Sequence, residues 1–330
     1  MEKFTKRLVV AVLVFLFAYK IIQFIEYVDP KKISIATWNV QTFFDVDFSG
    51  TEYSEFNNPK TDWSKEKYYV RLLRMAEALT KINVDVVALE EIENINVVYD
   101  IVDVLPYTSK FHYAVFAKQQ GSPFGLALFS RYPISKARTH QIQPMQNISV
   151  ESVSFRPILE VHLKVPKNDV VIFVNHWKSK ASDAELSKIF RQSQQRMLAD
   201  CIFYTKEETK SENLVIAAIG DFNQKTEEFE IDKTTSEIIF SGTHSVEYMK
   251  SSWLEKSNES VGSYYFADNW EQIDHIFLWS KTAHLKKCGT VKKRIFFNSA
   301  GTPNSYKIHS GTGLSDHLPL KAEIHFKSEP

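Results

Sequence analysis

Residues 214–219, Leu-Val-Ile-Ala-Ala-Ile, are apolar without a break, and Gly220, Asp221 and Asn223 follow at once. A short apolar run of this kind reads as a strand buried on both faces, ending here on an acid and an amide. The device recurs along the chain. In "KISIATWNV", Ile33 and Ile35 share a face with Thr37 and Asn39 by the two-residue period of a strand. "VDVVALEEIEN" ends on Glu90 and Glu91, "DVVIFVNHWKSK" ends on His176, and "EQIDHIFLW" carries Asp274. "FGLALFSRYPI" and "FRPILEVHLKV" are two further strands. In "GLSDHLPLKAEIHF", Leu318, Leu320, Ala322, Ile324 and Phe326 take one face and Lys321, Glu323 and His325 the other, behind Asp316 and His317.

Helical periodicity is strong in only two places. "TDWSKEKYYVRLLRMAEALTKI" puts Leu72, Leu73, Ala76 and Leu79 on one face, with Asp62 as its N-cap. Ser182-x-x-Glu185 is a capping box that opens a helix to about Tyr204. Residues 45–62, rich in Asn, Asp and Ser, read as a loop. Many strands and two strong helices imply a strand-rich α/β protein, two packed sheets with helices outside.

The N-terminus differs in kind. Lys3, Lys6 and Arg7 precede twelve apolar residues, Leu8–Tyr19, and Lys20, Gln23 and Glu26 interrupt a further apolar stretch ending near Val28. As a helix, Leu8–Val28 is about 31 Å long, enough to cross a bilayer. No small-x-small cleavage site follows the run, and the basic end belongs on the cytoplasmic side. Residues 1–30 are therefore read as an uncleaved signal anchor, a transmembrane helix that places residues 31–330 outside the cytoplasm. Secretion after signal cleavage is the alternative.

The remainder has no Gly/Ser- or Pro-rich linker and no fixed-period repeat, so it reads as one domain, a monomer with no protein partner. Lys plus Arg equals Asp plus Glu, 40 each, which gives no global pull toward a polyanion. An anionic substrate then needs a local basic patch. Lys178 and Lys180, just after His176, are either that patch or solvated loop charge. Cys201 and Cys288 form no metal motif and read as buried thiols, with a disulfide as the alternative in an exported domain. Tyr264, Tyr265, Phe266 and Trp270 read as core, with lipid contact or base stacking as alternatives.

The polar residues at strand ends form one inventory: Asn39, Glu91, His176, Asp221, Asn223, Asp274, Asp316 and His317. Asp221 and Asn223, two apart, project from one side of an extended segment. An oxygen-rich set without a Cys cluster or H-E-x-x-H suits Mg²⁺ or Mn²⁺ better than zinc. Singly each residue has a bland reading: a lone Asn caps turns, a lone His is usually structural, and Glu90-Glu91 is a solvated strand end. Their joint occurrence in order is what carries weight.

In that order, "TWNV", "ALEEIEN", "NHWKSK", "GDFN", "QIDHIF" and "LSDHLP" resemble the motifs of the endonuclease/exonuclease/phosphatase superfamily, the deoxyribonuclease I-like proteins, over about residues 33–326. The "NHWKSK" form is most similar to bacterial secreted or envelope endonuclease-like members. The resemblance implies a four-layered α/β/β/α sandwich of two packed mixed β-sheets with a site across their top. It implies Asn39 and Glu91 as holders of Mg²⁺ or Mn²⁺, with Asp316 near the same ion. Asp221 and Asn223 would position and activate water, Asp274 would orient His317, and His176 and Arg156 would contact the phosphate. The groove-binding tyrosine of deoxyribonuclease I has no equivalent near "QQGSPFGLALF", so duplex specificity does not carry over. The implied activity is metal-dependent hydrolysis of phosphodiesters in nucleic acid. A sphingomyelinase-type lipid phosphodiesterase or an inositol-phosphate phosphatase shares the same core. A non-catalytic binding module is a third option, against which the intact acids and both histidines argue. Either His317 or Asp221 serves as general base on the sequence alone.

Overall fold

The computed structural model describes residues 30–141, 156–180, 184–255 and 262–327. The proposed anchor and the Ser182 capping box lie outside the described residues. None of the described helices is long and apolar enough to cross a membrane.

Sixteen strands among the described residues run from β1 (Lys32–Phe43) to β16 (Leu320–Phe326). One six-stranded sheet has the order β15-β16-β1-β2-β4-β3, with β2 (Val86–Ile92), β3 (Tyr113–Ala117), β4 (Gly125–Ser130) and β15 (Ala283–Thr290). An eight-stranded sheet has the order β5-β6-β7-β8-β14-β11-β10-β9. Its centre is β6 (Ile158–Val165), β7 (Asn168–His176), β8 (Leu214–Asp221) and β14 (Asp274–Ser280); β5 (Ile134–His140) and the short β9–β11 (residues 230–251) form its flanks. The pairs β1/β2 and β7/β8 are parallel and the other pairs antiparallel, so both sheets are mixed. The segment "FGLALFSRYPI" is thus two strands, β4 in one sheet and the start of β5 in the other.

Three apolar layers follow from the strand period. Ile33, Ile35, Val86 and Ala88 meet Val170, Ile172, Val215 and Ala217 between the sheets. Ala36, Trp38, Val87 and Leu89, on the opposite face, pack under α1 (Lys65–Ile82) and α2 (Ile95–Val104). Phe173, Ile216 and Ala218 pack under α3 (Ala184–Thr209). The order is helix, sheet, sheet, helix, as the sequence motifs imply. Cys201 and Cys288 are buried in different layers and form no disulfide.

Two local expectations are corrected. Ser64, not Asp62, caps α1, accepting from the Lys67 N–H, while Asp62 takes a left-handed φ of 49°. The segment Ile95–Val104 is a further helix, whose N-cap Asn94 accepts from two backbone N–H groups.

Burial of titratable groups gives the fold a pH dependence. His275 is buried, bonded through Nε2 to the Gln224 carbonyl at 2.8 Å, and burial pushes its pKa down to about 4. Between pH 4 and 6.5 the unfolded chain binds a proton at this ring that the folded one refuses. Stability from His275 is complete above pH 6.5 and lost toward pH 4, by about 3 kcal/mol. Urea unfolding at pH 7 and pH 4.5 should show that loss, and His275→Gln should flatten it.

Candidate active site

The registers of the two sheets bring the strand-end residues together. In the eight-stranded sheet His176 lies opposite Asp221 across β7/β8, and Asp274 lies opposite Asp221 across β8/β14. Because β14 runs antiparallel, Asp274 reaches this edge from the start of its strand rather than the end. In the six-stranded sheet Asn39 lies opposite Glu90. Glu91 follows in a left-handed conformation, φ 67°, at a register shift between Glu90 and Ile92. That extra residue restores Ile92 to the helix-side layer and turns Glu91 toward the other sheet.

Asn39 joins the sheets. Its Nδ2 donates to Glu91 Oε1 at 3.2 Å and to Asp221 Oδ2 at 3.1 Å, while its Oδ1 accepts from the Gln41 N–H. The backbone N–H of Thr42 donates to Glu91 Oε2 at 2.6 Å. Glu90 is fully buried, accepts from the Thr37 hydroxyl at 2.6 Å, and is held well above the usual carboxylate range by burial. It is not a solvated strand end.

The segment before β16 is fixed by three bonds. Ser315 Oγ donates to the Asn39 carbonyl at 2.6 Å and accepts from the His317 N–H, and Trp38 Nε1 donates to the His317 carbonyl. His317 Nδ1 is 2.8 Å from Asp274 Oδ2, and Nε2 is 4.0 Å from Asp221 Oδ2. Burial opposes charging of this ring, but Asp274, with Asp221 and Asp316, outweighs it and lifts the pKa well above 6.5. His176 is the reverse case. Burial, then Arg156 and His317, push it well below 6.5, so the ring is neutral. It stacks on Phe124, with Nε2 3.5 Å from Asp221 Oδ2 and 3.7 Å from Glu91 Oε1. Burial and the nearby Asp274 raise Asp221 to about 7.

His176, Asp221 and His317 line one cleft of 430 Å³ with Asn39, Glu91, Arg156, Lys180, Asn223 and Asp316, and Asp274 stands behind His317. Arg156 donates to the Trp177 carbonyl and lies 5.2 Å from the Phe124 ring centre. Asn223 lines the cleft without being extended: its φ is 49°, its N–H donates to Asp221 Oδ1, and its amide donates to the Trp177 carbonyl. The basic strip is not assembled. Lys178 is not among the lining residues, and the Lys180 ammonium is bonded to both carboxylate oxygens of Glu228. Asp221, Asp274 and His317 also form a tight buried group of metal-type donors, but the His317–Asp274 hydrogen bond already occupies it.

Tyr264 and Phe266 are not core. They lie on a hairpin, β12 (Tyr264–Phe266) and β13 (Asn269–Glu271), at the cleft. The Tyr264 ring is 4.6 Å from His317, and Phe266 is 60% exposed. The Leu318 N–H donates to the Ser263 carbonyl and ties the hairpin to the His317 segment. Ser315 and Trp38 are supporting residues that the sequence pattern does not single out, although each stands inside a motif quoted above.

The family model for the endonuclease/exonuclease/phosphatase family matches residues 34–324. The chain belongs to this family, whose members are generally divalent-metal-dependent hydrolases of phosphodiester bonds. No curated protein matches the chain. Among solved structures it is similar to truncated TDP2 of Caenorhabditis elegans, at 12% identity and TM-score 0.57 over 90% of this chain and 99% of that one. An endonuclease/exonuclease/phosphatase family protein from Bacteroides thetaiotaomicron gives 16% identity and TM-score 0.55 over 91% and 100%. TDP2 of D. rerio, complexed with single strand DNA product, gives 14% identity and TM-score 0.54 over 90% and 100%.

Proposed function

We propose that this protein is a divalent-metal-dependent phosphodiesterase that cleaves nucleic acid. The observation that carries the reading is the convergence of Asn39, Glu91, His176, Asp221, Asp316 and His317 on one cleft, with Asp274 hydrogen-bonded behind His317.

The donors suit a hard cation. Glu91 and Asp316 offer carboxylates, and Asn39 offers a carbonyl oxygen once its amide turns over. In the described state the Asn39 N–H₂ donates to the Glu91 carboxylate, whose charge Mg²⁺ or Mn²⁺ would neutralise in its place. When bound there, the ion supplies charge neutralisation for the phosphate. The remaining roles belong to side chains. His317, held as imidazolium by Asp274, donates from Nε2 to a nonbridging phosphate oxygen. Its charge removes it as base at neutral pH, so Asp221, with Asn223 beside it, accepts the proton of the attacking water as the bond from phosphorus to the leaving oxygen breaks and that oxygen takes a proton from solvent. Neutral His176 and the Arg156 guanidinium complete the phosphate contacts. Two groups whose surroundings drive their pKa values apart are the usual mark of an acid–base assignment.

The nucleic-acid assignment draws on the hairpin. An exposed phenyl ring beside a phosphate-sized cleft suits a nucleobase flanking the scissile bond, and the similar D. rerio protein was captured with single strand DNA product. Stacking is worth about 1–3 kcal/mol per base, so Phe266→Ala should raise KM on single-stranded DNA by about tenfold with little change in kcat. The same oligonucleotide made abasic next to the cleaved bond should show no such change.

Hydrolysis of plasmid, single-stranded DNA, RNA and sphingomyelin vesicles, each with Mg²⁺ and with chelator, tests the function. Mg²⁺-dependent cleavage of a nucleic acid supports it; cleavage of sphingomyelin alone overturns it. The basic-then-apolar N-terminal sequence supports an extracytoplasmic, membrane-anchored enzyme. Release of the full chain by alkaline wash would count against the anchor.

A further inference from the structure

Arg71 has no place in the chemistry above, yet it is 1% exposed in the middle of α1. A buried guanidinium needs partners for its donors, and the two terminal nitrogens of this one donate to three successive backbone carbonyls. Nη2 donates to Val40 O at 3.0 Å and to Gln41 O, and Nη1 donates to Thr42 O at 2.9 Å. The Phe43 and Tyr306 rings lie 4.4 and 3.8 Å from the guanidinium carbon.

The three carbonyls belong to an unusual stretch. Gln41 and Thr42 both have left-handed φ values, 54° and 47°, and β1 loses register with β2 between Asn39 and Phe43. Neither residue is glycine and Thr42 is β-branched, so this conformation is unfavourable by itself. Turning the carbonyls toward Arg71 turns the N–H groups the other way, into the cleft. There the Gln41 N–H holds Asn39 Oδ1, and the Thr42 N–H holds Glu91 Oε2.

We propose that Arg71 is a positioning residue for the metal centre: by locking the left-handed exit of β1 it keeps the Thr42 N–H on Glu91 Oε2 and presents that carboxylate to the ion in a fixed arrangement. The proposal rests on the metal-dependent reading above. It separates Arg71 from a merely structural residue, whose loss would lower stability without altering the ion affinity of the protein that remains folded.

The test is Mn²⁺ binding by the full chain, followed by electron paramagnetic resonance, with thermal unfolding in parallel. Arg71→Lys keeps a cation but not the fork that reaches three carbonyls. The folded variant should bind Mn²⁺ at least about tenfold more weakly, the range typical for loss of a group that orients a metal ligand. Its kcat should recover at high Mn²⁺ while KM for substrate stays put. A second variant, Arg71→Lys with Thr42→Gly, relieves the left-handed strain, and it too should bind more weakly than wild type. Wild-type Mn²⁺ affinity in either folded variant overturns the assignment. Wild-type protein that takes up no Mn²⁺, or a Glu91→Gln control that binds normally, removes the metal reading and this assignment with it.

Discussion

Asp221→Ala is expected to lower kcat/KM for phosphodiester cleavage by about 10²–10⁴-fold, the range for a positioned acid–base group, and to leave the fold standing. The carboxylate is almost fully buried, and burial and Asp274 both act against its charge. Removing it relieves that repulsion but takes the acceptor from the Asn39 amide and the Asn223 N–H, so the two effects offset and the melting temperature should change little. Stability and activity therefore move apart, unlike the effect of a core lesion. In the wild-type protein without added metal, burial and Asp274 set Asp221 near 7. A base must be deprotonated, so the rate at fixed low Mg²⁺ should climb as pH rises through about 7, a cation shifting the limb toward acid. A kcat/KM–pH profile beside thermal unfolding tests both halves. Activity that survives the substitution removes Asp221 from the mechanism.

Gly220→Ala should produce the largest loss of stability of any single methyl group near the site. Gly220 has φ 140°, and a Cβ there would stand 1.9 Å from the Asn175 carbonyl oxygen and 2.7 Å from its carbon. Both neighbours are backbone in the centre of the eight-stranded sheet, across β7/β8. Overpacking and a strained backbone together cost about 2–5 kcal/mol. Urea unfolding measures it directly. The same clash pushes β7 from β8 just where His176 faces Asp221, so the surviving folded fraction should also be slow. A glycine before the acid of "GDFN" is thus a packing requirement of the parallel pair.

What was legible in the sequence was the placement of polar residues at strand ends. The two-residue period alone put Thr37 and Asn39 on the inter-sheet face behind Ile33 and Ile35, and the packing follows it. Less legible were features that break a period or span a long separation. Glu91 should face the helices by alternation; the bulge that redirects it depends on a left-handed residue the sequence does not flag. Asn223 reaches the cleft through a turn, not through the extended geometry its spacing suggests. Lys180 looked like a phosphate ligand because its partner Glu228 is 48 residues away. Tyr264 and Phe266 looked like core because aromatic composition does not distinguish a hairpin at a cleft from a buried strand. Arg71 sits where a helix pattern expects a polar surface, and only its three carbonyl partners reveal a role inside.

A crystal soaked in Mn²⁺ and recorded at the manganese absorption edge would locate the ion itself. The proposed mechanism predicts one anomalous peak in the cleft, bound by Glu91, Asp316 and the carbonyl oxygen of a turned Asn39, with Asp221 and His317 left to water and phosphate. A peak held instead by Asp221, Asp274 and His317, or no ion in the cleft at all, would contradict it.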